Sequence, residues 1–304
     1  MLYDLIIIGG GPAGLTAGIY ARRANLKTII LEKDTIGGQI SSSPCVENYP
    51  GYEKISGADL SQSFYKQVIN AGCEFEFEEV QEIKAGHIKE VVTDSTTYKA
   101  KAVIIATGGK PRLLGLENEE ELIGNGIHFC ALCDGSFYKD ERVAIVGGGN
   151  TAIVDAEYLS GLCEKVYILC KDDKLGGDRP VIERLLANDK IAILYNTELT
   201  AYPSEDEITE VEINKNGKKE MLEVSGVFMA IGYNACTNLA DSLKITKDDR
   251  NYILSDDLTT ECEGIFIAGD CRSKKIRQVT TAASDGSIAA SLANEYIKAN
   301  TWEE

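Results

Sequence analysis

Leu5-Ile6-Ile7-Ile8-Gly9-Gly10-Gly11-Pro12-Ala13-Gly14 is the stretch that decides how this chain folds. Its apolar run predicts a buried strand, and the run breaks into a Gly-x-Gly-x-x-Gly turn. Ala13–Ala24 has helical composition, and Lys27–Leu31 predicts a second strand. Glu32 closes that strand, 18 residues after Gly14. In such a strand–turn–helix–strand unit the glycines let the backbone turn tightly and approach a pyrophosphate at the helix N-terminus. The carboxylate can then accept ribose hydroxyls. A glycine-rich turn without a ligand is the plainer alternative, and Glu32 at this spacing argues against it.

The pattern recurs. Arg142–Val146 predicts a strand entering Gly147-Gly148-Gly149-Asn150-Thr151-Ala152, then a helix over Thr151–Leu162 and a strand over Lys165–Leu169. Each unit is followed by alternating segments that predict a meander. The first comprises Glu74–Ala85, Ile88–Thr93 and Tyr98–Ala106, ending at Thr107-Gly108-Gly109. The second comprises Ile191–Thr200, Ile208–Asn214 and Met221–Ala230, ending at Ile231-Gly232. A final apolar strand within Cys262–Asp270 ends in Gly269-Asp270 and leads to a helix over Gln278–Ala299. One strand and one helix make a poor domain, so they are assigned to complete the first unit, with Asp270 facing its ligand. The expected fold class is α/β, with two nucleotide-binding, Rossmann-like, three-layer domains. Residues 1–112 and 241–304 form the first, and residues 113–240 are inserted into it, with linkers near Pro111–Gly124 and Gly232–Ala240.

With 304 residues, 44% hydrophobic and 26% charged, the chain reads as a soluble globular protein of two domains. Its net charge of −17 argues against nucleic acid and anionic membrane as partners. No apolar run has the length of a membrane span, and the N-terminus does not read as a signal peptide. Of nine cysteines, only Cys130 and Cys133 are closely spaced. The others (45, 73, 163, 170, 236, 262 and 271) read as packing residues, which fits a reducing, cytoplasmic setting.

Cys130-Ala131-Leu132-Cys133-Asp134-Gly135 is the candidate chemical centre. Two cysteines two residues apart at a helix start can close a small disulfide ring. A helix dipole there would lower a thiol pKa. Asp134 could deliver or remove the proton that dithiol chemistry requires. A zinc site using His128, Cys130 and Cys133 is the alternative, but the chain lacks a second such cysteine pair and has only two histidines.

Gly9–Gly14, Glu32, Gly37-Gly38-Gln39, Glu47-Asn48-Tyr49-Pro50-Gly51, Thr107-Gly108, Cys130–Gly135, Gly147–Ala152, Gly269-Asp270 and Arg277-Gln278 stand in the order and spacing of the bacterial low-molecular-weight thioredoxin reductases. The chain resembles that family over essentially its whole length. The resemblance implies bound FAD, a homodimer and thioredoxin as partner. The FAD contacts it implies are Gly9, Gly11, Pro12, Ala13, Gly14, Glu32, Gly38, Gln39, Asn48, Thr107, Gly108, Gly269, Asp270, Arg277 and Gln278. It also implies that Cys133 accepts electrons from flavin, that Cys130 attacks the thioredoxin disulfide, that Asp134 is the acid–base, and that the inserted domain rotates between two positions.

The chain departs from this pattern at the electron donor. Members of the family that use NADPH carry a His-Arg-Arg…Arg cluster for the 2′-phosphate. Here the stretch reads Cys170-Lys171-Asp172-Asp173-Lys174-Leu175-Gly176. Asp172 and Asp173 would repel a phosphate, and Lys171 with Lys174 compensate only in part. Counting 18 residues on from Ala152, the position matching Glu32 is Cys170. In lacking the cluster the chain resembles the ferredoxin-dependent flavin thioredoxin reductases, which implies reduced ferredoxin as donor. NADH, through Asp172, and NADPH are the alternatives. An acidic ferredoxin would dock on basic residues, for which Lys274, Lys275, Arg277, Arg22, Arg23 and Lys27 are candidates. A flavin dithiol oxidase, which runs the same cysteines in reverse, and a non-enzymatic redox sensor are the competing classes.

Overall fold

The computed structural model describes the whole chain except residues 44, 45, 47, 177, 178, 303 and 304, and the side chains of residues 42, 179 and 180. Two compact units result. One comprises Met1–Ser41, Tyr49–Lys110 and Asn234–Glu304, and the other Ser42–Asn48 and Pro111–Tyr233.

The first unit is built on the strand Leu2–Ile8, whose inner residues Leu5, Ile6 and Ile7 are fully buried. It pairs in parallel with Thr28–Glu32 on one side and Thr97–Ile105 on the other. Burial on both faces explains the unbroken apolar run, because a parallel strand covered by helices has no solvent side. The helix Pro12–Arg23 follows the turn, with Gly11 as N-cap and proline in its first turn, where a missing N–H costs nothing. The strand Ile265–Ile267 pairs in parallel with Thr97–Ile105, so the C-terminal segment joins the first sheet. The long helix Val279–Ala299 lies against Pro12–Arg23. Gly286 makes this approach possible, since a Cβ there would meet the backbone of Ala13 and Ala17.

In the second unit, Arg142–Val146 lies between Lys165–Leu169 and Gly226–Met229, all parallel. The sheet is completed by Ile191–Leu194 at one edge and Ile127–His128 at the other. A separate antiparallel sheet holds Thr197–Ala201, Glu210–Lys215 and Lys218–Glu223.

The meanders differ from their sequence reading in one systematic way. Glu74–Ala85 is two strands. Glu74–Phe77 pairs in parallel with Thr28–Glu32, and Val80–Lys84 pairs antiparallel with Lys89–Thr93. The break falls at Glu78, whose carboxylate accepts hydrogen bonds from Thr93 and Tyr98. Ile191–Thr200 divides the same way, at Asn196, whose φ of 49° no strand residue adopts. Met221–Ala230 divides into the end of Lys218–Glu223 and Gly226–Met229. The helix Gly57–Asn70, capped by Ser56, has no counterpart in the sequence reading.

Candidate active site

The first glycine turn is held by its own backbone. Gly9 has φ of 112°, and its N–H donates to Leu31 O at 2.8 Å. A Cβ on Gly9 would meet Ala106 O, and one on Gly14 would meet Gly9 O, so both positions are closed to side chains. Around Gly11, by contrast, a Cβ would find only Gly37 O, at 4.0 Å. The helix N-terminus beside Pro12 and Ala13 is therefore bare, which is the shape that admits a pyrophosphate to the first-turn N–H groups. Glu32 is buried at the end of its strand. Its Oε2 accepts from Gly10 N at 2.5 Å and its Oε1 from Asp34 N at 2.8 Å. Fixed in this way, the carboxylate stays at the loop with lone pairs left for a diol.

Other expected contacts gather in the same unit. Gln39 Nε2 donates to Gly109 O at 2.5 Å, and Thr107 Oγ1 to Cys236 O at 2.5 Å. Gly38 and Gly108 have φ of 55° and 63°. Gly269 has φ of 80°, and a Cβ on it would lie 2.9 Å from that of Ala13, which places Gly269-Asp270 beside the glycine turn. The Arg277 guanidinium stacks 4.0 Å from the Tyr252 ring centroid, and its buried Nε has no partner among the described residues. Gln278 is the N-cap of Val279–Ala299 and shares a capping box with Thr281. A bare helix N-terminus, a fixed carboxylate and an orphaned guanidinium N–H fit a dinucleotide such as FAD. Asn48 stands apart from this set. It clusters with the second unit, and its Nδ2 lies 3.9 Å from Cys133 Sγ.

Sequence reasoning missed Asp285. From the long helix its buried carboxylate accepts Gly269 N at 3.1 Å, Arg272 Nε at 2.9 Å and Arg272 Nη2 at 3.0 Å. Lys274 Nζ joins it at 3.1 Å and also holds Asp270 at 3.0 Å. Burial would raise the Asp285 pKa, but Arg272 and Lys274 outweigh it and hold the carboxyl below its ordinary range. Asp285, a carboxylate among the alanines, serines and threonines of the first half of the helix, was the signal available in the sequence.

This network corrects the basic docking set. The Lys274 side chain is only 8% exposed and is spent on two carboxylates, and Arg277 is half-buried over the Tyr252 ring. Arg22 likewise donates to the carbonyls of Leu26 and Ala71. A cation near a buried carboxylate or an open helix end turns inward, because leaving that acceptor unmatched costs more than one surface charge gains. Arg23 and Lys275 are exposed, and Lys27 lies over the Tyr3 ring.

In the second unit, Cys130 and Cys133 form a disulfide, with their Cα atoms 5.3 Å apart. Cys130 is the N-cap of Ala131–Asp134, and its Sγ accepts from Cys133 N at 3.2 Å. That helix is a single turn, continued by a tighter turn over Gly135–Tyr138. The sequence argument from a helix dipole therefore weakens, since four residues align few peptide dipoles. The local feature at this sulfur is the N–H of Cys133 aimed at it. Asp134 is buried, with Oδ2 at 3.2 Å from His128 Nδ1 and Oδ1 at 3.4 Å from Ser43 Oγ. His128 Nε2 meets Tyr138 Oη at 2.7 Å, so both imidazole nitrogens face side chains other than the two cysteines.

The second glycine turn repeats the first almost atom for atom. Gly147, with φ of 138°, donates to Leu169 O at 3.0 Å. Gly176 N donates to Gly148 O at 2.7 Å, as Gly37 N does to Gly10 O at 2.8 Å. The repeat fails at the acidic position. Cys170 is buried there, and its Sγ donates to Lys174 O at 3.4 Å. Burial pushes the thiol pKa up, so it offers no charge to a ribose. Nearby, Lys171 pairs with Glu198 at 3.0 Å.

Comparison with known proteins completes the picture. The profile of the pyridine nucleotide-disulphide oxidoreductases matches residues 3–286. A thioredoxin reductase of Listeria innocua is 38% identical over 98% of this chain and 94% of its own. A 34.2 kDa protein in a rubredoxin operon of Clostridium pasteurianum is 41% identical over 97% of each. The crystal structure of thioredoxin reductase from Streptococcus pyogenes superposes with a TM-score of 0.90 at 37% identity, covering 98% of this chain and 99% of that one.

Proposed function

The chain belongs to the pyridine nucleotide-disulphide oxidoreductases, as a FAD-dependent enzyme of the thioredoxin reductase type; from that premise we propose that it passes electrons through Cys130–Cys133 to thioredoxin and receives them from reduced ferredoxin. The observation that carries the donor reading is Cys170, an uncharged buried thiol in a loop that otherwise reproduces the Glu32 turn. No arginine occupies Lys171–Gly176 to hold a 2′-phosphate, and Lys171 is already paired with Glu198.

FAD, when bound, supplies the electron pair that opens the Cys130–Cys133 disulfide. Gly9, Gly11, Pro12, Ala13 and Gly14 would carry its pyrophosphate, and Glu32 its ribose. Gly38, Gln39, Asn48, Thr107, Gly108, Gly269, Asp270, Arg277 and Gln278 complete the set drawn from resemblance. Reducing the protein disulfide takes two electrons and two protons. Cys133 receives the electrons, Cys130 attacks the thioredoxin disulfide, and Cys133 then attacks the mixed disulfide to regenerate the bond. Asp134, which is buried and adjoins Cys133 in sequence, would protonate a departing thiolate. Residues 1–112 with 241–304 would form the FAD-binding domain, and residues 113–240 the domain carrying the dithiol.

One observation favours NADH as a second reading. The Gly149 face of the second turn is open, since a Cβ there would meet nothing within 4 Å, and Asp172 lies two residues past Cys170. Anaerobic bleaching of the bound flavin separates the donors. Rapid bleaching by reduced ferredoxin alone supports the proposal, and rapid bleaching by NADH or NADPH overturns it. A homodimer in the cytoplasm is proposed from family resemblance and the separate free cysteines, and sedimentation velocity tests the assembly. No helix among the described residues is long and apolar enough to cross a membrane.

A further inference from the structure

We propose that Tyr138 and His128 form a proton relay that loads Asp134 from solvent, a role that rests on Asp134 being the acid–base of the dithiol. Three groups stand in line. Asp134 Oδ2 is 3.2 Å from His128 Nδ1, and His128 Nε2 is 2.7 Å from Tyr138 Oη. The His128 and Asp134 side chains are 3% and 9% exposed, so water reaches neither freely.

The packing fixes this line. The Tyr138 ring stands edge-on to His128 at 5.3 Å and to Phe228 at 5.6 Å. It also lies on the bare Cα of Gly226, where a Cβ would come within 2.5 Å of Tyr138 Cζ. Burial, then the charge of Asp134, push the Tyr138 hydroxyl up to about 12, so it keeps its proton and donates to Nε2. The imidazole proton then sits on Nδ1 and faces Asp134.

The outer end of the line opens to the surface. Tyr138 and His128 help line an open pocket of about 400 Å³ with Phe137, Glu207, Thr209 and Ser225. The titratable groups facing the relay are Asp134 from the dithiol turn, Glu207 across the pocket and Cys163 behind Tyr138. Gly226 and Phe228, from the adjoining strand, contribute none.

The step balances without a further reactant. When Cys130 Sγ bonds one thioredoxin sulfur, the thioredoxin S–S bond breaks and the other sulfur departs as a thiolate. Asp134 gives it a proton, His128 Nδ1 returns one to Asp134, Tyr138 supplies Nε2, and pocket water reloads Tyr138. One proton crosses, and no electrons move along the line.

The test follows reoxidation of the reduced holoenzyme by thioredoxin, with Tyr138→Phe, His128→Asn and Asp134→Asn beside the wild type. Tyr138→Phe keeps the ring. His128→Asn keeps an amide donor toward Asp134 but cannot pass a proton from Tyr138. Each relay variant is expected to slow thiol protonation about a hundredfold, at the low end of acid–base effects. Its rate should then rise with buffer-acid concentration, while the wild-type rate does not. Wild-type rates in both variants would overturn the relay, as would slowing that buffer leaves untouched or full rescue by His128→Asn. An unaffected Asp134→Asn would instead overturn the acid–base reading beneath it. Flavin content and circular dichroism confirm that each variant is folded.

Discussion

Asp285→Asn tests how the end of the long helix holds the Gly269-Asp270 turn. The substitution keeps the size of the side chain and an acceptor for Gly269 N, but removes the charge that Arg272 and Lys274 face. Breaking a buried ion pair costs about 3–5 kcal/mol. Lys274 retains Asp270 as a partner and the Arg272 side chain is 23% exposed, so the loss should lie near the lower bound, about 3 kcal/mol. With a urea slope of about 3 kcal/mol per molar, the midpoint should fall by about 1 M when unfolding is followed by release of flavin fluorescence. The pH dependence has a definite sign. A carboxyl whose folded pKa is depressed stabilises above its unfolded value, near 4, and the contribution is lost as pH falls through the folded value. The gap between wild type and Asp285→Asn should therefore be full at neutral pH and close in acid. A midpoint unchanged at neutral pH, or a gap that widens in acid, would refute the ion-pair account.

Cys130→Ser and Cys133→Ser should each abolish thioredoxin reduction, at least a thousandfold by steady-state assay, while absorbance spectra show flavin retained; substantial activity in either would exclude the dithiol route. Glu32→Gln should weaken FAD binding about tenfold, the equivalent of about 1.4 kcal/mol for a charged hydrogen bond, measured by flavin titration of apoprotein. Burial pushes the thiol of Cys73 up to about 12 and those of Cys163 and Cys271 up to about 11. In the reduced, folded enzyme these three should resist iodoacetamide at mildly alkaline pH while Cys130 or Cys133 is alkylated, as read by peptide mass spectrometry.

The parallel core was legible because its determinants are local. Apolar runs, glycine turns and the spacing to Glu32 all lie within one supersecondary unit. The C-terminal strand could be assigned to the first sheet because a lone strand must find partners. The meander breaks were missed because neither Glu78-Glu79 nor Asn196 brings a glycine or proline to mark a turn, and only long-range pairing decides which neighbour each half-segment joins. Asp285 and the Tyr138–His128 line escaped for the same reason. Hydrogen bonds between residues ten or more positions apart leave no periodic trace. Lys274 failed as a docking residue in the opposite direction, since a sequence displays charge but not whether it faces a buried acid.

Gly147 carries a lesson about fingerprints. A Cβ there would meet Ala230 O, so the residue is demanded by the crossing of its own strands whether or not a nucleotide ever arrives. Cys170, free of that constraint, is where the unit departs from its twin. A loop of this kind can outlast the ligand it resembles a cradle for, because the architecture itself enforces the glycines. The informative letters are then the ones the backbone leaves free to vary.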